Sequence, residues 1–76
     1  MSIKYTKMKE EFKINGEYIE LIQLLKATGL AQTGGHAKMI VDDELVYRNG
    51  ELETRKRAKL KAGDVIEIED DRITLI

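Results

Sequence analysis

Arg55, Lys56, Arg57, Lys59 and Lys61 place five cations in seven consecutive residues, broken only by Ala58 and Leu60 and by no carboxylate. Such crowding is chemistry for anions. An arginine fork can grip two phosphate oxygens at once, and a lysine adds a compact point charge. The segment lies between two turn signals, Asn49-Gly50 and Gly63-Asp64, so it is expected on a short connection between strands. On a regular strand these side chains would alternate between faces, whereas in a loop three or four could converge on neighbouring phosphates. Leu60 is expected to point inward and anchor the segment, which lowers the ordering cost of binding. A plainer reading stays open, that of a solvated loop balancing the acidic stretch after it. There Asp64, Glu67, Glu69, Asp70 and Asp71 face one arginine, Arg72.

A second constellation is Thr33, Gly34, Gly35, His36, Ala37 and Lys38. Thr33 is a natural N-cap, which puts both glycines in the first turn of a helix. Glycine there costs roughly 1 kcal/mol relative to alanine. Two compensations are open. Bare backbone N–H groups at a positive helix end admit an anion closely, with Lys38 one turn further on. Alternatively, the glycines let a second helix or loop approach.

Other chemistries find little material. His36 is the only histidine and cysteine is absent, so zinc sites, disulfides and thiol chemistry are not expected. Asp42, Asp43 and Glu44, like Glu69, Asp70 and Asp71, lack the spacing and glycine of a calcium loop and read as solvated turns. No nucleophile stands beside a base, so neither catalysis nor a cofactor is expected. Exposed-ring stacking has few candidates, the aromatics being Tyr5, Phe12, Tyr18 and Tyr47. No apolar run approaches the ~20 residues that span a bilayer, and the first residues lack a signal peptide's apolar stretch. A cytoplasmic protein with no membrane partner is the expectation.

The formal net charge is only −1, so the sorting of charge, not its sum, is informative. The elements that must display it follow from period. Residues 1–8 show none and read as a flexible arm, leaving 9–76 as a single domain. Residues 11–14 alternate as a short strand ending at Asn15-Gly16. From Glu17 the spacing of Tyr18, Leu21, Ile22, Leu25 and Thr28 predicts an amphipathic helix of about three turns, closed by Gly29, with Glu17 and Glu20 near its positive end. The second helix buries Ala37, Ile40 and Val41 and ends near residues 42–44. Strands are expected over 45–48, 65–68 and 73–76, with turns at Asn49-Gly50 and Asp70-Asp71. The fold class is therefore α+β: two packed helices against a small, mostly antiparallel sheet.

In this order the helix at 18–28, the Thr33-to-Lys38 string, the Asn49-Gly50 turn, the basic block and Gly63-Asp64 resemble the S4-like RNA-binding domain. The likeness covers residues 11–70 and is greatest to small stand-alone bacterial proteins. It implies the alpha-L motif, a concave basic surface made by the start of the second helix and the connection after the Asn-Gly turn. The implied partner is structured RNA, ribosomal RNA and the ribosome included, bound by a monomer. Carried over by position, the implied RNA contacts are Thr33, Gly34, Gly35 and Lys38, then Arg55, Lys56, Arg57 and Lys59, with His36 and Arg48 as neighbours. Three departures stand out. Gly34 replaces an arginine common in the family, Arg48 takes an often apolar position, and Glu44 stands where glycine is common. A different reading is a protein–protein adaptor or self-associating module that uses the basic loop and acidic hairpin.

Overall fold

The computed structural model describes residues 9–76; the expected arm at residues 1–8 lies outside the described residues. The elements are β1 (Lys9–Phe12), β2 (Ile19–Glu20), α1 (Leu21–Ala27), α2 (Gly34–Asp42), β3 (Val46–Arg48), β4 (Glu51–Leu52), β5 (Lys59–Leu60), β6 (Val65–Ile68) and β7 (Asp71–Leu75). Five strands form one sheet in the order β1-β7-β6-β3-β4, and β2 and β5 form a separate antiparallel pair. Within the larger sheet only β1 runs parallel to its neighbour, β7. The expected α+β class, two helices against a mostly antiparallel sheet, is what the chain adopts.

Burial follows the two periods. Leu21, Leu24 and Leu25 of α1 and Ala37 and Val41 of α2 are buried together with Val46, Ile66, Ile68, Ile73 and Leu75 from alternate strand positions. Alternation leaves Tyr47, Glu67, Arg72 and Thr74 on the opposite side of the strands. Ala58 and Leu60, the two apolar residues inside the basic block, join the core at 4% and 0% exposure.

The turns show where special backbone geometry is needed. Asn49 and Gly50 both take positive φ, 53° and 87°, as a two-residue turn matched to strand twist requires. Glu44 sits at φ 61° after α2. The left-handed turn that glycine commonly makes is thus kept by a residue that pays a steric penalty for it.

Two expectations are corrected. The first helix begins at Leu21, not near Glu17, because Ile19 and Glu20 pair with Leu60 and Lys59 across β2 and β5. Tyr18 therefore precedes the helix, 42% exposed, instead of lying on its buried stripe. The acidic hairpin turns at Glu69 and Asp70, one residue earlier than expected, since Ile68 pairs with Asp71 and Glu69 takes φ 53°.

Candidate functional site

The basic connection is held from both sides. The first amides of a helix have no partner within it, and here α1 offers them to the connection. Leu21 N–H donates to the Ala58 carbonyl at 2.9 Å and Ile22 N–H to the Lys56 carbonyl at 3.2 Å. On the other side Glu53 N–H donates to Val46 at 2.8 Å. With Ala58 and Leu60 buried, the backbone is fixed and the charged side chains have to point outward.

Arg48 ties this connection to the sheet. Its guanidinium donates to the Asp64 carboxylate at 2.9 Å and to the Lys59 carbonyl at 3.0 Å, and lies 3.6 Å from Glu53. Asp64 also accepts from Lys61 N–H at 2.8 Å and from the Asn49 amide at 3.0 Å, while Asn49 accepts from Val65 N–H at 2.9 Å. Arg48 is only 22% exposed as a side chain. Arg48 on β3 is thus a partly buried cation whose charge is met by two carboxylates.

Those carboxylates are perturbed in the same direction. The side-chain hydrogen bond from Arg55 is the main influence holding Glu53 below its ordinary range; burial opposes it, and the charges of Arg55 and Arg48 assist. For Asp64 burial is the largest single influence and acts upward. It is outweighed by donation from Lys61 N–H, Asn49 and Arg48, so the net shift is again down. A depressed folded pKa gives stability that is present above the unfolded value and lost as pH falls through the folded one. Thermal unfolding between pH 2 and 7 should therefore show a plateau above about pH 5 and a fall below about pH 4. Asp64→Asn should lower the plateau and flatten that fall; an equally steep fall in the variant would remove Asp64 from the account.

The outward side chains form a cleft of about 550 Å³ lined by Arg48, Arg55, Arg57, Lys59 and Lys61 around Ala58. Most of these cations already have a partner. Arg55 binds Glu53 at 3.0 Å, Arg57 binds Glu20 at 3.2 Å, and the Lys59 ammonium lies 5.0 Å from the Tyr18 ring centroid. Lys61 has no ion pair among the described residues. Lys56 faces elsewhere, to Asp42 at the end of α2, at 2.9 Å.

The residues from Thr33 to Lys38 form a second surface. The Thr33 hydroxyl caps α2 by accepting from His36 N–H at 3.0 Å. His36 Nδ1 in turn accepts from Gln32 N–H at 3.2 Å, which leaves Nε2 as the ring's outward donor. A Cβ on Gly34 would meet nothing within 4 Å, and one on Gly35 only the Thr33 hydroxyl at 3.9 Å. Close packing against another element therefore does not account for these glycines. They leave a helix end of nine residues with bare amides and no acidic residue in its first turn. Lys38 is exposed and has no ion pair among the described residues. None of residues 33–38 lines the cleft itself, so the cleft and the helix end are separate surfaces.

Lys61, Glu20 and Glu53 belong to this site although the contacts expected from sequence did not include them. Lys61 was legible as part of the charge block. The two glutamates were not, because their partners are set by tertiary pairing. Among the described residues no cluster of His, Cys, Asp or Glu could hold a metal ion, and no helix is long and apolar enough to cross a membrane.

Comparison with known proteins supports the same architecture. The model of the S4 domain family matches residues 12–76. A Bacillus subtilis (strain 168) protein described as "probable ribosome maturation protein RlbA" is 40% identical over 62 residues, covering 82% of this chain and 87% of its own. YbcJ of Escherichia coli (strain K12) is 39% identical over 49 residues, or 64% of this chain and 70% of its own. The solution structure of YbcJ from E. coli, described as revealing an alfaL motif involved in RNA-binding, superposes with a TM-score of 0.70 at 28% identity. That match covers 100% of this chain and 96% of that one. With the same two-helix and sheet arrangement and a family match across nearly all its described residues, the chain belongs to the S4 domain family.

Proposed function

We propose that this chain is a non-catalytic RNA-binding protein that recognises structured RNA as a cytoplasmic monomer. The observation that carries the reading is the cleft of five cations on a backbone pinned by α1 amides and buried Ala58 and Leu60. Charge held in place loses little freedom on binding, so more of each contact appears as affinity. Arg55, Arg57 and Lys59 are the contacts on this side, with Lys61 beside them, while Lys56 adds its charge on the α2 side, where it meets Asp42. Thr33, Gly34, Gly35, His36 and Lys38 supply amides, one imidazole donor and one cation at the helix end. The relation to a protein named for ribosome maturation supports ribosomal RNA as the class of target.

Affinity of this kind comes mainly from phosphates and must fall with salt. With about four phosphates neutralised, log K against log salt for a labelled RNA hairpin should have a slope near −3 to −4, taking the duplex DNA coefficient as a guide. Absence of binding at low salt, or binding indifferent to salt, would refute the proposal.

A further inference from the structure

The charge left over from the RNA reading is acidic, and it borders an apolar groove. Between α2 and the β6–β7 turn lies a cavity of about 280 Å³ whose apolar lining includes Met39, Ile40, Leu45 and Ile68, with Asp43, Glu69 and Asp71 as its acidic residues and His36 at the α2 end. Met39 is 61% exposed and borders the apolar lining contributed by Ile40, Leu45 and Ile68. Asp43 and Glu69 are exposed and have no ion pair among the described residues. Glu44 and Asp70 add further negative charge along the same two turns, while Asp42 is met by Lys56. The nearest arginine on β7, Arg72, is bound to Glu67 at 3.1 Å.

We infer that this groove docks a basic protein segment in which one large aliphatic side chain is flanked by lysines and arginines. The cavity has room for such a side chain, and the acidic residues select the flanking charge. A second copy of this chain fits less well. Among the described residues the dense basic stretch, residues 55–61, already binds Glu53, Glu20 and Asp42 internally, and its apolar residues Ala58 and Leu60 are buried. RNA is repelled by the acidic residues. The protein would then present two surfaces to two kinds of partner, phosphate on one and cationic peptide on the other, meeting at His36.

The test uses the full chain, ¹⁵N-labelled, titrated with the heptapeptide Lys-Arg-Lys-Leu-Lys-Arg-Lys. Amide shifts are expected at Met39, Ile40, Leu45 and Glu69, with none at residues 55–61. Replacing the peptide's leucine by serine should weaken binding at least fivefold, and so should Asp43→Asn with Glu69→Gln in the protein. The double variant should bind an RNA hairpin as the wild type does, which separates this proposal from the RNA reading. Shifts centred on residues 55–61, equal affinity for the serine peptide, or indifference to the double variant would each overturn it. So would a concentration-dependent dimer in sedimentation that the double variant abolishes, since the groove would then belong to a second copy.

Discussion

Replacing Arg57, Lys59 and Lys61 together by alanine is expected to weaken binding to a structured RNA hairpin at least 100-fold at 0.1 M salt, given a net contribution of about 1 kcal/mol or more for each contact. The slope of log K against log salt should become shallower by about 2 to 3 in the same variant. Stability should hardly change, because Arg57 is 78% exposed in its pair with Glu20 and such pairs contribute about 0–1 kcal/mol. The more obvious set, Arg55, Lys56 and Arg57, is a poorer probe. Arg55 neutralises Glu53, whose side chain is only 7% exposed, so removing it leaves a buried carboxylate short of partners and mixes folding with binding. Lys56 in turn is occupied with Asp42. A triple variant that binds within threefold of wild type would take the cleft out of RNA recognition. The geometry also implies an exchange of partners: an incoming phosphate must draw Arg57 from Glu20, so isolated phosphates compete poorly against a dense backbone.

Arg48→Ala is expected to destabilise the domain by about 3 kcal/mol, the lower part of the range for breaking a largely buried ion pair. In a domain of this size that corresponds to a fall in Tm of about 12–24 °C. The cost has three parts. Asp64 loses a donor at 2.9 Å, the Lys59 carbonyl loses one at 3.0 Å, and Glu53 loses a nearby charge. Arg48→Lys should recover less than half, because one ammonium cannot reproduce a fork that meets a carboxylate and a carbonyl together. Paired with Asp64→Asn, the double-mutant cycle should show clear coupling. A loss below 1 kcal/mol for Arg48→Ala in thermal or denaturant unfolding would show that the network is incidental.

Much of the fold was legible because its signals are local. The Thr33 cap, the glycine after α1, the Asn49-Gly50 turn and the alternation of residues 65–68 each depend on a few neighbouring residues. The misplaced start of α1 has the opposite character. Tyr18 satisfies helical spacing, yet Ile19 and Glu20 are drawn into a ladder with residues some forty positions away. Periodicity cannot register that competition. The site divides the same way. A run of cations is visible in one glance at the chain, but which of them share a cleft is not. Lys56 turns towards α2 while Lys61 joins Arg57 and Lys59, and only the packing of Ala58 and Leu60 decides the difference. Arg48 shows the same limit. In the sequence it stood out only as a cation at an often apolar position beside the implied contacts, and the carboxylates that engage it come from residues 53 and 64.

The parallel pairing of β1 with β7 has a kinetic consequence. Lys9 is matched with Arg72 and Phe12 with Leu75, so this ladder joins opposite ends of the described chain. Its loop-closure entropy is the largest in the sheet, while the β3–β4 and β6–β7 hairpins close over a few residues. Folding should therefore begin in the hairpins and the helix pair, with β1 docking last onto a β7 already in place. As an edge strand bonded on one side only, β1 is also the element from which local opening would start, leaving the basic cleft on the far side of the sheet intact.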